Sequence, residues 1–381
     1  MNEILKRATE LQDELSELRK EFHRWPEPGN SEYKTAERIE KYLQSLGIET
    51  RRVLGTAVAA ALKGAKPGRT VALRADMDAL PITEQTGADF ASENPGFMHA
   101  CGHDVHMTAA LGAAKILSER KDSLCGNVVF LFQPDEEGNG GAARLIKEGC
   151  LDGVSMVFGA HVSPDITEGS AGINYGKFYA ASDMFNVRIT GKSAHGASPE
   201  KGIDALYAAA RLICAFKAVP SLFNGEKSVV STGKIESGSA RNIIAEKAEF
   251  CGIIRTLGPE MRAAAKEAMK KSASEIDAEI GTVTDIEFIE SYPGVVNNKD
   301  ASALVYETAR ELLGMENAIE ITEPTMMTED FGYYIENIPG CFYHIGAGCN
   351  LPLHNSAFLP SEKAIVTGAA LHAAVILKAL L

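Results

Sequence analysis

Apolar residues Ile4, Ala8, Leu11, Leu15 and Leu18 recur at steps of four and three, which predicts one amphipathic helix at the start of the chain. Pro26 and Pro28 stop it. Asn30 or Ser31 is placed to cap a second helix carrying Ala36, Ile39, Leu43 and Leu46, and Gly47 sits where a left-handed C-terminal cap belongs. Residues 57–63 and 70–75 are short β-prone runs around Lys66-Pro67-Gly68, a pattern that predicts two strands joined by a tight turn.

Three apolar runs share one form. Val71 to Leu73 precedes Asp76 and Asp78, Val128 to Phe132 precedes Glu136 and Glu137, and Met156 to Phe158 precedes His161. Each reads as a buried strand ending in a metal-capable or acidic residue. Helical patterns at 104–119 and 140–148 lie between them, the strand and helix alternation of an open α/β sheet, whose sites form beyond the carboxyl ends of strands. From about residue 180 the pattern changes. A strand at 183–190, a helix at 204–216, strands at 227–235 and 246–255, a helix at 259–279 and a strand at 284–290 follow in turn. That β-α-β-β-α-β order is a ferredoxin-like unit, expected as an inserted domain over 180–292. Strand-like Cys341 to Ile345 and a helix from Ser361 then return to the first sheet, so the first domain is discontinuous, 1–179 and 293–381.

Composition narrows the function. The 381 residues are 45% hydrophobic and 23% charged, which suits a globular protein of roughly two domains at about 150 residues each. A net charge of −13 without long single-sign runs argues against nucleic acid and anionic lipid as partners. No apolar h-region opens the chain and nowhere do about 18 apolar residues run together, so neither a secretory signal nor a membrane span is expected. The segment nearest to one holds His372 and Lys378 and reads as a core helix. Seven scattered cysteines fit reduced thiols in a cytoplasmic protein.

The candidate chemistry is concentrated at His99-Ala100-Cys101-Gly102-His103-Asp104-Val105-His106. In an extended segment Cys101 and His103 would point the same way and could share a metal, while the plainer reading is a helix cap at Asp104 with solvated imidazoles. Glu136-Glu137 is by itself an ordinary acidic turn, yet one carboxylate could ligate a metal while its neighbour takes a proton from the attacking water. His161 and His354 alone are equally open to a core or surface role. Their combination at successive strand ends suggests a borderline divalent metal site.

These residues resemble the dinuclear metallo-aminoacylase and carboxypeptidase family. The similarity is to the amidohydrolase branch of hippurate hydrolases, N-acyl-L-amino acid amidohydrolases and auxin-conjugate hydrolases. It rests on His23-Arg24-Trp25-Pro26-Glu27 with Glu32 and Thr35, Arg74-Ala75-Asp76-Met77-Asp78-Ala79-Leu80-Pro81, His99 to Asp104, and Gln133-Pro134-Asp135-Glu136-Glu137-Gly138. Gly159-Ala160-His161, Gly191-Lys192-Ser193-Ala194-His195, Thr328-Glu329-Asp330-Phe331 and Leu353-His354 extend it through the chain.

The resemblance implies metal ligands at Cys101, His103, Glu137, His161 and His354, with Glu136 as general base. Where other branches carry His-x-Asp, this chain has Asp76-Met77-Asp78, and where they bridge the metals with an aspartate it has Cys101; both features belong to the amidohydrolase branch. Asp78 then orients a ligand and assists catalysis, while Asp76 stays outside the ligand set. His195 is implied as an oxyanion donor from the partner subunit of a homodimer, and Asn242 and Arg255 as contacts to substrate. Read without the family, those three are a loop His, a turn Asn and a surface Arg.

The implied reaction is hydrolysis of an N-acyl-L-amino acid, a small molecule, to a carboxylic acid and a free amino acid. Two divalent ions assist it, zinc or manganese, with cobalt or nickel as further candidates. The alternatives are a dipeptidase or carboxypeptidase, an N-acetyl-diaminopimelate deacetylase with the same site, and a metal-dependent binding protein without turnover.

Overall fold

The computed structural model describes residues 1–381, which divide into two compact units: Met1–Gly176, Asn297–Thr322 and Tyr333–Leu381 form the first, Lys177–Val296 and Glu323–Gly332 the second. The first is built on a mixed, mostly parallel eight-stranded sheet. Its strands run in the order Glu49–Val53, Ala57–Lys63, Cys125–Gln133, Lys66–Asp76, Val154–Ser163, Gly340–Gly346, Ala171–Ile173 and Ala318–Glu320. The four strands from Cys125–Gln133 to Gly340–Gly346 are mutually parallel and lie mid-sheet. They read as near-continuous apolar runs because both faces are covered, and Val71, Leu73, Phe130, Phe132, Phe158 and Tyr343 are all buried.

Helices His103–Ser118 and Glu362–Ala379 are buried almost all round. They cross closely at glycines: a Cβ on Gly112 would lie 2.8 Å from that of Ala369, and one on Gly368 2.9 Å from that of Ala109. The crossing delivers the N-terminus of His103–Ser118 to the carboxyl ends of the parallel strands.

Three local expectations are corrected. The opening stripe is fully buried, but it is carried by two helices, Asn2–Glu10 and Gln12–Arg24, that meet at Leu11. The following helix, Tyr33–Ser45, takes no side-chain cap from Asn30 or Ser31; the Glu27 carboxylate accepts the Thr35 N–H at 2.9 Å instead, and Gly47 is left-handed at φ +71. Strands Ala57–Lys63 and Lys66–Asp76 reverse direction but do not pair, because Cys125–Gln133 lies between them, antiparallel to one and parallel to the other. A central slot shields both faces of its Phe130, Leu131 and Phe132, which an edge position would leave wet.

In the second unit, strands Val229–Ser237, Lys247–Thr256, Ala181–Thr190 and Val283–Glu290 pair antiparallel in that order. Helices Ala205–Ala218 and Pro259–Ile280 complete the ferredoxin-like sequence of elements. Phe185, Phe216 and Phe250 meet edge-on or tilted between helix and sheet, with centroids 5.6 to 6.2 Å apart. The segment Ala205–Phe223 is long and apolar enough to cross a membrane by composition. Here it is a helix followed by a 3-10 turn, with Ala208, Ala209, Leu212 and Phe216 in the core of this unit.

Candidate metal centre

The parallel strands deliver the site residues to one end of the sheet. Asp76 ends its strand, Asp78 follows two residues later, Glu136 and Glu137 follow Cys125–Gln133, and His161 lies inside Val154–Ser163. Cys101 and His103 are not in an extended segment, as the spacing suggested. Gly102 between them is left-handed at φ +86 and His103 opens the buried helix, so a turn converges them. Asp104 is no cap either: it lies in the first helical turn, where its carboxylate accepts from Arg19 Nε at 2.6 Å and His23 Nδ1 at 2.8 Å.

Beside three further metal-capable groups, Asp76 with His103 and His106, His103 with Glu136 and Glu137, and Glu136 with Glu329 and Asp330, two triads form on Cys101, one with His103 and His161 and one with Glu137 and His354. Within each, the ligand-type atoms lie within 4.8 Å of one another, and Cys101 belongs to both. Cys101 Sγ is 3.2 Å from His161 Nε2, and Glu137 Oε1 is 3.1 Å from His354 Nε2. Two divalent ions, if bound, could each draw on one triad, with Cys101 available to both. His103 tests the fit. Its Nδ1–H donates to the Asp78 carbonyl at 2.8 Å, which leaves Nε2 buried without a hydrogen-bond partner and directed to where a cation would sit. His161 repeats the device, donating from Nδ1 to the Val162 carbonyl at 2.6 Å and keeping Nε2 toward Cys101.

The supporting contacts explain why the side chains point this way. The Asp78 carboxylate accepts the backbone N–H groups of Glu136 and Glu137, both at 3.0 Å, and so holds two successive peptides. His354 adopts a left-handed backbone at φ +64, and its N–H donates to the Ala100 carbonyl at 2.9 Å, tying its loop to Cys101. Asp76 is engaged by His106 Nδ1 at 2.6 Å and Arg74 Nη1 at 2.6 Å, and it forms a further metal-capable group with His103 and His106. Sequence reasoning missed His106. Its Nε2 accepts the Val162 N–H at 2.8 Å, so this neutral imidazole braces the residue whose carbonyl orients His161. The available signal was the step of three from His103 to His106, which puts both on one helix face.

In the second unit, a two-residue ladder sets His195 opposite Ile243, and the Gly196 N–H donates to the Asn242 carbonyl at 2.8 Å, so His195 and Asn242 are neighbours. The Ala197 N–H donates to His195 Nδ1 at 3.1 Å, which places the neutral ring's proton on Nε2. Arg255 lies on Lys247–Thr256 opposite Ser182 and Val229; its Nη1 is buried without a hydrogen-bond partner, and burial draws the guanidinium below its ordinary value.

The description Peptidase family M20/M25/M40 matches residues 72–378. The chain belongs to this family. It is 37% identical over 361 residues to the N-acetyl-L-cysteine deacetylase of Bacillus subtilis, covering 93% of this chain and 86% of that protein. Thermostable carboxypeptidase 1 of Saccharolobus solfataricus is 35% identical over 97% of this chain and 96% of its own length. Among solved structures, the YXEP protein of Bacillus subtilis, a dinuclear metal binding peptidase from the M20 family, matches with a TM-score of 0.88 at 33% identity, covering 98% of this chain and 99% of that one. As an M20 protein the chain is a hydrolase acting on amides.

The electrostatics of this M20 centre predict how it loads. Burial opposes charge on His103, but the carboxylates of Asp76, Asp78 and Glu137 override it and push the ring up to about 10. Burial, and then Glu137 and Glu136, push the Cys101 thiol well above its usual range. Both groups hold protons at pH 7 that a cation must displace. Metal uptake by the stripped protein should therefore release protons, seen as a calorimetric enthalpy that varies with the buffer's ionisation enthalpy. Affinity should rise about tenfold per pH unit for each proton displaced. A heat independent of buffer would refute this electrostatic picture.

Proposed function

We infer that the protein is a metal-dependent amidohydrolase that cleaves N-acyl-L-amino acids to a carboxylic acid and a free amino acid. The observation that carries this reading is the pair of ligand triads sharing Cys101, with a second carboxylate, Glu136, next in the chain to Glu137. When bound, the two divalent cations polarise the scissile carbonyl and acidify a water. Cys101, His103, Glu137, His161 and His354 would hold them. Thiolate and imidazole donors suit zinc, with manganese the other candidate.

Glu136 takes the proton of the attacking water and passes it to the departing amine nitrogen, which must leave as a neutral amine. Asp78 keeps its peptide and that of Glu137 in place throughout. His195, with its proton on Nε2, suits the oxyanion donor role and is assigned to the partner of a homodimer. Asn242 contacts the substrate carbonyl or carboxylate. The buried, unpartnered Nη1 of Arg255 suits the substrate carboxylate, since an anion there would satisfy a donor that otherwise carries a desolvation cost. The substrate is therefore a small acyl amino acid with its α-carboxylate free, handled in the cytoplasm.

The test is amine release from N-acetyl, N-benzoyl and longer N-acyl amino acids, with dipeptides and N-acetyl-diaminopimelate included, with added zinc or manganese and a chelator control. Metal-dependent release from acyl amino acids is expected. Preferential release from dipeptides would move the assignment to a dipeptidase, and silence with metal bound would leave a binding protein.

A further inference from the structure

Residues 23–32 contain none of the proposed ligands, yet they touch three of the segments that carry site residues. His23 donates to Asp104, beside His103; the Glu27 carbonyl accepts the Ala79 N–H at 2.9 Å, beside Asp78; and Glu32 Oε1 accepts the Asp135 N–H at 3.1 Å, beside Glu136. The first two contacts end on residues with ordinary backbone. The third secures a strained residue.

Asp135 is left-handed at φ +62, a conformation that costs a non-glycine residue about 1–2 kcal/mol. The turn there carries the chain from the end of the strand to the two peptides that Asp78 clamps. Asn30 is left-handed as well, at φ +63. Arg144 links the two strained residues, with Nη1 on Asn30 Oδ1 at 2.8 Å and Nη2 on Asp135 Oδ2 at 3.2 Å. Gly29 lies against the same turn, where an added Cβ would come within 2.3 Å of Asp135 Oδ1 and 3.0 Å of its Cα. Glu32 is fully buried and its second oxygen has no partner. Burial pushes its carboxyl up to about 7.

We propose that Glu32 is a positioning residue for amide hydrolysis, its carboxyl holding Asp135 in the left-handed turn that aims Glu136 and Glu137, with Gly29 and Asn30 completing the brace. This rests on the reading of Glu136 as base. The experiment compares Glu32→Ala, Glu32→Gln and Asp135→Gly, alone and combined, for kcat, KM and bound metal measured by plasma mass spectrometry on the full-length, metal-loaded protein.

Glu32→Ala should lower kcat by about 10- to 100-fold with KM kept within about threefold, because a small misplacement of catalytic groups acts on the chemical step. Glu32→Gln retains an acceptor for the Asp135 N–H and should stay within about threefold of the parent. Glycine adopts the turn without strain, so Glu32→Ala added to Asp135→Gly should cost less than about threefold further. Unchanged kcat in Glu32→Ala, equal losses in the Ala and Gln variants, or the same loss in the Asp135→Gly background would each overturn the proposal. If Glu32→Ala does not fold, Gly29→Ala carries the test: kcat lost with KM kept supports the brace, and parental kcat overturns it. An active Glu136→Gln removes the base reading itself, whereas an inactive Glu136→Gln beside a fully active Glu32→Ala removes only the brace.

Discussion

Glu136→Gln is expected to lower kcat by about 10²- to 10⁴-fold while both metal positions stay filled. The amide has the shape of the carboxylate but cannot accept the proton of the attacking water. Its backbone placement is independent of the side chain, since the peptide N–H groups of residues 136 and 137 are held by Asp78. The ligand-type atoms of the two triads come from Cys101, His103, Glu137, His161 and His354, none of which changes. Metal content by plasma mass spectrometry and single-turnover rates measured together decide the matter. Undiminished turnover would sink the base assignment, and loss of a metal would show that Glu136 ligates.

The largest loss of stability is expected from Asp104→Ala, about 3–5 kcal/mol. Arg19 and Asp104 form an ion pair whose side chains are 2% and 0% exposed. His23 adds a second cation, with Nδ1 on Asp104 at 2.8 Å and Nε2 on Glu84 at 3.1 Å. Both ring nitrogens face carboxylates, so both carry protons. Burial opposes that charge, but Asp104 outweighs it and holds the ring above its usual value. Removing Asp104 leaves the Arg19 guanidinium and the His23 imidazolium in the interior with only the Glu84 carboxylate, on Nε2 of His23, against them. The urea-unfolding midpoint of this unit, followed by the fluorescence of Trp25, the chain's single tryptophan, measures the cost. A loss below about 1 kcal/mol would mean that water or a neighbouring group compensates the cluster, contrary to its burial.

The structure explains which parts of this protein could be read in advance. Elements whose pattern is local and periodic lie near where periodicity puts them: the helix expected at 259–279 is Pro259–Ile280, and the strand expected at 284–290 is Val283–Glu290. Errors occurred where two local patterns compete for a non-local partner. Residues 57–63 and 70–75 carry the marks of a hairpin, but the strand Cys125–Gln133 gains more burial by separating them than they gain by pairing. Cys101 and His103 were expected to share a face of an extended segment, whereas a left-handed glycine turns them together.

By itself the sequence determined the class of both units, the run of strands that end in acids and imidazoles, and the candidates for holding a divalent metal. All of these depend on composition, spacing and period within a few residues of each position. Only the tertiary structure decided that residues 101, 137, 161 and 354 converge on two triads with one shared thiol. It alone showed that His106 braces Val162 and that Asp76 is spent on Arg74 and His106. Those relations join residues distant in the chain, and a ring nitrogen or a carboxylate oxygen is free to bind metal only after the fold has settled which partners the rest of its side chain takes.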